Sequence, residues 1–69
     1  MSAKNFRWTD IHHIAIELES AYPNTDILQT RFTDLWQWVQ DLPGFSDDPN
    51  KSNEKILEAI QMAWLDERE

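Results

Sequence analysis

Two histidines and thirteen carboxylates are the residues of this 69-residue chain best equipped to do chemistry. His12 and His13 are adjacent. Neighbours on a helix diverge by about 100°, so the two rings cannot share one metal ion. His13 and Glu17 lie four apart and would make half a site, whereas zinc takes three or four converging ligands. There is no His-Glu-x-x-His pattern. Both histidines are read as solvated surface residues. Serines and threonines fall mostly at prospective caps and turns, where local hydrogen bonding accounts for them. A phosphate-cradling loop needs several glycines, and Gly44 stands alone. Without cysteine the chain has no thiolate nucleophile, thiolate metal site or disulfide, which suits a reducing compartment. No catalytic set emerges. The chain is read as a non-enzyme with no tightly bound cofactor.

The carboxylates fall into groups. Asp47 and Asp48 precede the last predicted helix, Glu54 and Glu58 are an i, i+4 pair on one flank of it, and Asp66, Glu67 and Glu69 end it. Asp10 and Asp34 stand at predicted helix starts, where they complement the dipole. Hard cations take oxygen ligands, so clustered acids suit weak binding of iron(II) or calcium. The ligand order of an EF-hand loop is absent. Capping explains Asp10, Asp34 and Asp48 equally well. The C-terminal acids oppose their helix dipole, by a few tenths of a kcal/mol each when exposed.

These groups must be positioned by helices. Ile11, Ile14, Ala15, Leu18 and Tyr22 make one apolar stripe, predicting a helix from Asp10 to Ala21 capped by Thr9. Ile16 falls off that stripe. Pro23 stops the helix at Tyr22. Asn24 to Asp26 form a turn, a short helical turn follows over Ile27 to Gln29, and Thr30 to Phe32 is extended. Leu35, Trp38, Val39 and Leu42 predict a second helix over 34–42, capped by Thr33 and stopped by Pro43-Gly44. Phe45 anchors the loop that follows. Asp48-Pro49 opens the last helix, or it starts later at Ser52; it runs to about Glu67. Ile56, Leu57, Ile60, Ala63 and Trp64 form its buried face, with Leu65 pointing away. Packing is the simplest role for Trp36 and Leu65. The fold class is all-α: a single domain over 1–69, with three main helices and short links. A helix-turn-helix core and a winged helix short of its wing are both compatible with that order.

Net charge narrows the partners. The chain carries −7 at neutral pH, with only Lys4, Arg7, Arg31, Lys51, Lys55 and Arg68 against the acids, and these are scattered. A duplex-binding domain presents a basic face to phosphates. Nucleic acid and anionic membrane are therefore disfavoured, along with a helix-turn-helix DNA-binding role. A basic protein surface or a hard cation fits better. No apolar run approaches the roughly 20 residues of a spanning helix. Met1 to Trp8 has no signal-peptide apolar region. A cytoplasmic monomer is expected.

Ordered motifs add a resemblance. Trp8-Thr9-Asp10, Ala21-Tyr22-Pro23, Arg31-Phe32-Thr33-Asp34-Leu35, Trp38-Val39, Leu42, Asp47-Asp48-Pro49, Ser52 to Ile60 and Trp64-Leu65-Asp66-Glu67 together resemble the IscX family, nearly end to end. The first helix departs from the family pattern at His12, His13, Ile16 and Glu19, and no function is placed there. The resemblance implies a small acidic helical protein with a modified winged-helix fold that accompanies iron–sulfur cluster assembly. It implies binding to a basic surface of the cysteine desulfurase, overlapping the sites of frataxin and ferredoxin, and weak iron binding through surface acids. The motifs supply Asp10, Arg31, Asp34, Asp47, Asp48, Glu54, Glu58, Asp66 and Glu67 as partner-binding residues. Asp47, Asp48, Glu54 and Glu58 are the candidate iron ligands.

Overall fold

The computed structural model describes residues 5–69. Lys4 and the start of the N-terminal stretch lie outside them. Three helices follow in order: α1 (Ile11–Ala21), α2 (Phe32–Asp41) and α3 (Glu54–Arg68). A 3-10 turn at Ile27–Gln29 links the first two, and another at Pro49–Lys51 precedes the third. The all-α, three-helix expectation holds. Among the described residues β pairing is limited to one parallel bridge, Phe6 to Phe45.

The helix bodies follow the apolar stripes. Ile14, Ala15 and Leu18 of α1, Leu35 and Val39 of α2, and Leu57, Ile60 and Trp64 of α3 are buried, while Ile16 is exposed as its position off the stripe requires. α3 packs chiefly on α1. The stops also follow local chemistry. Tyr22, ahead of Pro23, is the C-cap of α1. At the end of α2 the Phe45 N–H donates to Leu42 O at 3.2 Å, with Pro43 and Gly44 between them. Gly44 has φ 90, the left-handed conformation that a turn with Pro before it demands, and glycine adopts it without steric cost.

The helix starts differ from expectation. Thr9 is not the cap of α1. It lies in a turn closed by the Asp10 N–H on Arg7 O at 2.9 Å, which moves the N-cap to Asp10. Thr33 is not the cap of α2 either. That helix begins two residues earlier than expected, at Phe32, with Arg31 extended as N-cap. Phe32, the first residue of the helix, is partly buried against the core. Asp48 and Pro49 open the 3-10 turn rather than α3. The cap of α3 is Asn53, whose Oδ1 accepts from Ile56 N at 2.9 Å.

Part of the core lies outside the helical periodicity. Phe6 and Trp8 are 2% and 1% exposed and belong to the central cluster. Phe6 is held by its N–H on Gly44 O at 3.0 Å and by Ser46 N–H on its own carbonyl at 2.9 Å. Phe45 closes over both rings, with centroids 5.8 Å from Phe6 and 4.9 Å from Trp8. A large aromatic buries about 150–250 Å², so two such residues matter greatly to so short a chain. Leu65 is also partly buried against the core rather than turned away from it.

The far end of the molecule is closed by Arg68. Its Nε donates to Glu19 Oε1 at 3.0 Å, its Nη2 to Tyr22 O at 2.9 Å and its Nη1 to Thr25 O. Carbonyls beyond the end of α1 thus gain the partners that a helix terminus lacks. Glu19 Oε1 also accepts the Trp64 indole N–H at 2.9 Å. The guanidinium lies 5.7 Å from the Trp64 ring centroid.

Leu18 is fully buried between α1 and its neighbours. Leu18→Ala should cost about 2–5 kcal/mol, a large share of the roughly 3–10 kcal/mol expected for this length. Urea unfolding should show a lower midpoint with an unchanged slope. A loss well under 1 kcal/mol would contradict the packing described.

Candidate functional site

The acidic loop between α2 and α3 is the most constrained of the acid groups. Asp47 is half-buried, and both its carboxylate oxygens are engaged by backbone. Oδ1 accepts from Asp48 N at 2.7 Å, and Oδ2 accepts from Trp8 N at 3.2 Å. The bond to the Asp48 N–H holds the Asp47 carboxyl below its usual value; the Trp8 N–H and the charges of Lys51 and Arg7 act in the same direction against a desolvation that raises it. Asp48 is exposed, and its Oδ1 accepts from Asn50 N at 2.9 Å, capping the Pro49–Lys51 turn.

Two tryptophans hold the loop backbone. The Trp8 indole N–H donates to Asp48 O at 2.9 Å. The Trp36 indole N–H donates to the next carbonyl, Pro49 O, at 3.0 Å. The Gln40 amide in turn donates to Trp36 O at 3.0 Å. Trp36 therefore has a role beyond packing. A tryptophan beside the apolar stripe was a visible signal, but its acceptor lies thirteen residues downstream in a loop.

The remaining acids distribute around this centre. Asp10 is exposed, and its Oδ2 accepts from Arg7 N at 2.9 Å. Arg7 and Trp8 thus bring Asp10 and the Asp47–Asp48 loop to one short segment. Glu67 reaches the same end of α1, with its Oε2 3.8 Å from His12 Nε2. Asp66 beside it is exposed. Glu54 and Glu58 form a separate group and line a shallow, open depression with Asn53 and Lys55. Arg31 and Asp34 form a third group, exposed at the start of α2, with Asp34 in the first turn. Glu54 and Asp66 are twelve residues apart on one helix, about 18 Å, so the acids do not make a single patch.

The structure brings no metal centre together from these residues. Among the described residues, no three His, Asp or Glu side chains converge. His12 is exposed, as expected. His13 is only half-exposed: its ring sits 4.7 Å from Phe6, and its Nε2 lies 3.6 Å from Glu17 Oε2. Sequence reasoning missed Phe6 and Trp8 as positioning residues. Their spacing of two is the pattern of an extended segment, but two residues are too few to register as one.

The lowered Asp47 carboxyl links the loop to pH. A depressed folded-state value stabilises the fold above the ordinary aspartate range, and that contribution fades as pH falls through the lowered value. Asp47→Asn should therefore destabilise the protein at neutral pH, with the deficit shrinking under strongly acidic conditions. Urea midpoints at both pH values check this, and a deficit independent of pH would remove the charge from the account.

Comparison with known proteins gives the family. Residues 6–69 match a family described as iron-sulphur cluster assembly. An uncharacterized protein of Pseudomonas aeruginosa is 51% identical over 65 residues, covering 94% of this chain and 98% of its own. The matched span begins at Phe6 and takes in every element described above. The chain belongs to the iron-sulphur cluster assembly family, the IscX family that its motifs resemble.

Proposed function

We propose that this protein is an acidic adaptor that binds the cysteine desulfurase of cluster assembly at a basic surface near its active site. The observation that carries this reading is the Asp47–Asp48 loop, which is held by hydrogen bonds from Trp8 and Trp36 while Asp48 stays exposed. A preformed acidic loop meets a basic partner without the entropy loss of ordering it. Asp10 is joined to the same segment and Glu67 stands at the same end of α1, adding negative charge to a loop that also has Arg7 and Lys51 beside it. Net charge of −7 favours fast, steered association with a basic surface.

The remaining sequence-derived residues extend this surface. Asp66 and Glu67 would add to the Asp10 side. Arg31, Asp34, Glu54 and Glu58 would contact the partner outside the loop. Overlap with the frataxin and ferredoxin sites makes the adaptor a competitor of both. In this reading it acts in the cytoplasm as a monomer and performs no catalysis.

Biosensor binding to purified cysteine desulfurase tests this. Saturable binding that weakens steeply from low to physiological salt is expected, with loss of binding in the Asp47→Lys, Asp48→Lys double variant. Salt-insensitive binding, or none, would reject the adaptor reading.

A second reading is weak iron(II) binding, with iron as cargo. Exposed Asp48, Glu54 and Glu58 are oxygen donors of the kind hard cations accept. Asp47 is the least available of the four candidates, because both its oxygens already accept backbone bonds. Saturable iron(II) binding should then decline in Asp48→Asn more than in Asp47→Asn. Full retention in both would exclude the loop from iron binding.

A further inference from the structure

Consecutive carbonyls, Asp48 O and Pro49 O, each receive an indole N–H, from Trp8 and from Trp36. Both donors precede the loop in sequence but come from different elements: the N-terminal segment and α2. The first bond fixes the peptide plane between Asp48 and Pro49. The second fixes the plane between Pro49 and Asn50. The ring of Pro49 locks the φ between them. Two planes and a locked torsion leave the backbone at Asp48 little freedom, which sets its Cα–Cβ direction, and the bond from Asn50 N holds the carboxylate.

The two aspartates are used differently. Asp47 spends both carboxylate oxygens on backbone N–H groups, of Asp48 and Trp8. Asp48 spends one on Asn50 N, and its side chain remains exposed. Asp47 is a clip inside the loop, and Asp48 is the acid it presents.

We propose that Trp8 and Trp36 are positioning residues, a two-point clamp that aims Asp48 at a basic partner surface. The assignment of Asp48 to the partner rests on the adaptor reading above; the clamp itself does not. The clamp explains why a fully buried indole and a half-exposed one are both placed against this one loop. It also divides the acidic pair, making Asp48 the charge that the partner reads.

The test uses the full-length chain made by chemical synthesis. In one variant the Trp8 indole is replaced by benzothiophene, which keeps the shape of the buried ring and removes only its N–H. In a second, Trp36→Phe removes the other donor at a half-exposed position. Hydrogen exchange is followed at the Asp48 and Asn50 amides and at amides within α3. Affinity for the cysteine desulfurase is measured at two salt concentrations. Each variant should speed exchange at the loop amides and leave α3 unchanged. Affinity should fall roughly two- to tenfold per lost hydrogen bond. The salt dependence should stay as in the parent, because no charge is removed, whereas Asp48→Asn should flatten it.

Exchange that rises equally in the loop and in α3 would make the indoles general stabilisers and overturn the clamp. Faster loop exchange at parental affinity would overturn the positioning role. Parental loop exchange would overturn the clamp even if the parent protein binds the desulfurase well. Failure of the parent to bind would reject the adaptor reading, and the exchange measurement would still decide the clamp.

Discussion

A buried indole carries one N–H that must find an acceptor, and two fully buried indoles organise this molecule. Trp64 is 0% exposed and Trp8 is 1% exposed. An unbonded donor at either site would cost about 1–3 kcal/mol, much of the stability of so small a domain. Trp64 meets the need with Glu19, and that carboxylate in turn holds Arg68. Trp8 meets it with Asp48 O, and that contact draws the acidic loop onto the N-terminal segment. The first bond closes the α1–α3 interface. The second builds the candidate site. Both halves answer the same demand.

Packing around these indoles explains which parts of the fold were legible in the sequence. Helix bodies were legible because burial repeats every three or four residues along α1, α2 and α3. The stops at Pro23 and at Pro43-Gly44 were legible because both are local steric effects. The starts were not. Thr9 and Thr33 are sound caps by chemistry, yet Thr9 lies in the turn from Arg7 to Asp10, and α2 starts ahead of Thr33 at Phe32, which is partly buried against the core. Tertiary contacts outweigh a cap worth about 1 kcal/mol. Phe6 and Trp8 were invisible as core because a bridge of one residue pair has no period to detect.

The candidate site was legible as charge and illegible as geometry. The acids themselves can be read directly. Their grouping depends on contacts spanning about forty residues, as between Trp8 and the Asp47–Asp48 loop. Nor does composition reveal that Asp47 is consumed by backbone bonds while Asp48 is left outward. Glu19 illustrates the converse. It belongs to none of the motifs read in the sequence, yet it joins Trp64 to Arg68. A residue with no place in a functional motif can be central to the fold.

The dominance of the α1–α3 interface has a consequence for how the protein is made. Small helical domains usually form from neighbours in sequence, and their low contact order makes them fast. Here the principal partner of the first helix is the last. During translation Ile14, Ala15 and Leu18 are finished well before Leu57, Ile60 and Trp64 exist. At about 5–20 residues per second, the wait lasts a few seconds. Through that interval the apolar stripe of α1 lacks its principal cover. Once past the exit tunnel, that stripe is the chain's most adhesive surface until α3 emerges to cover it.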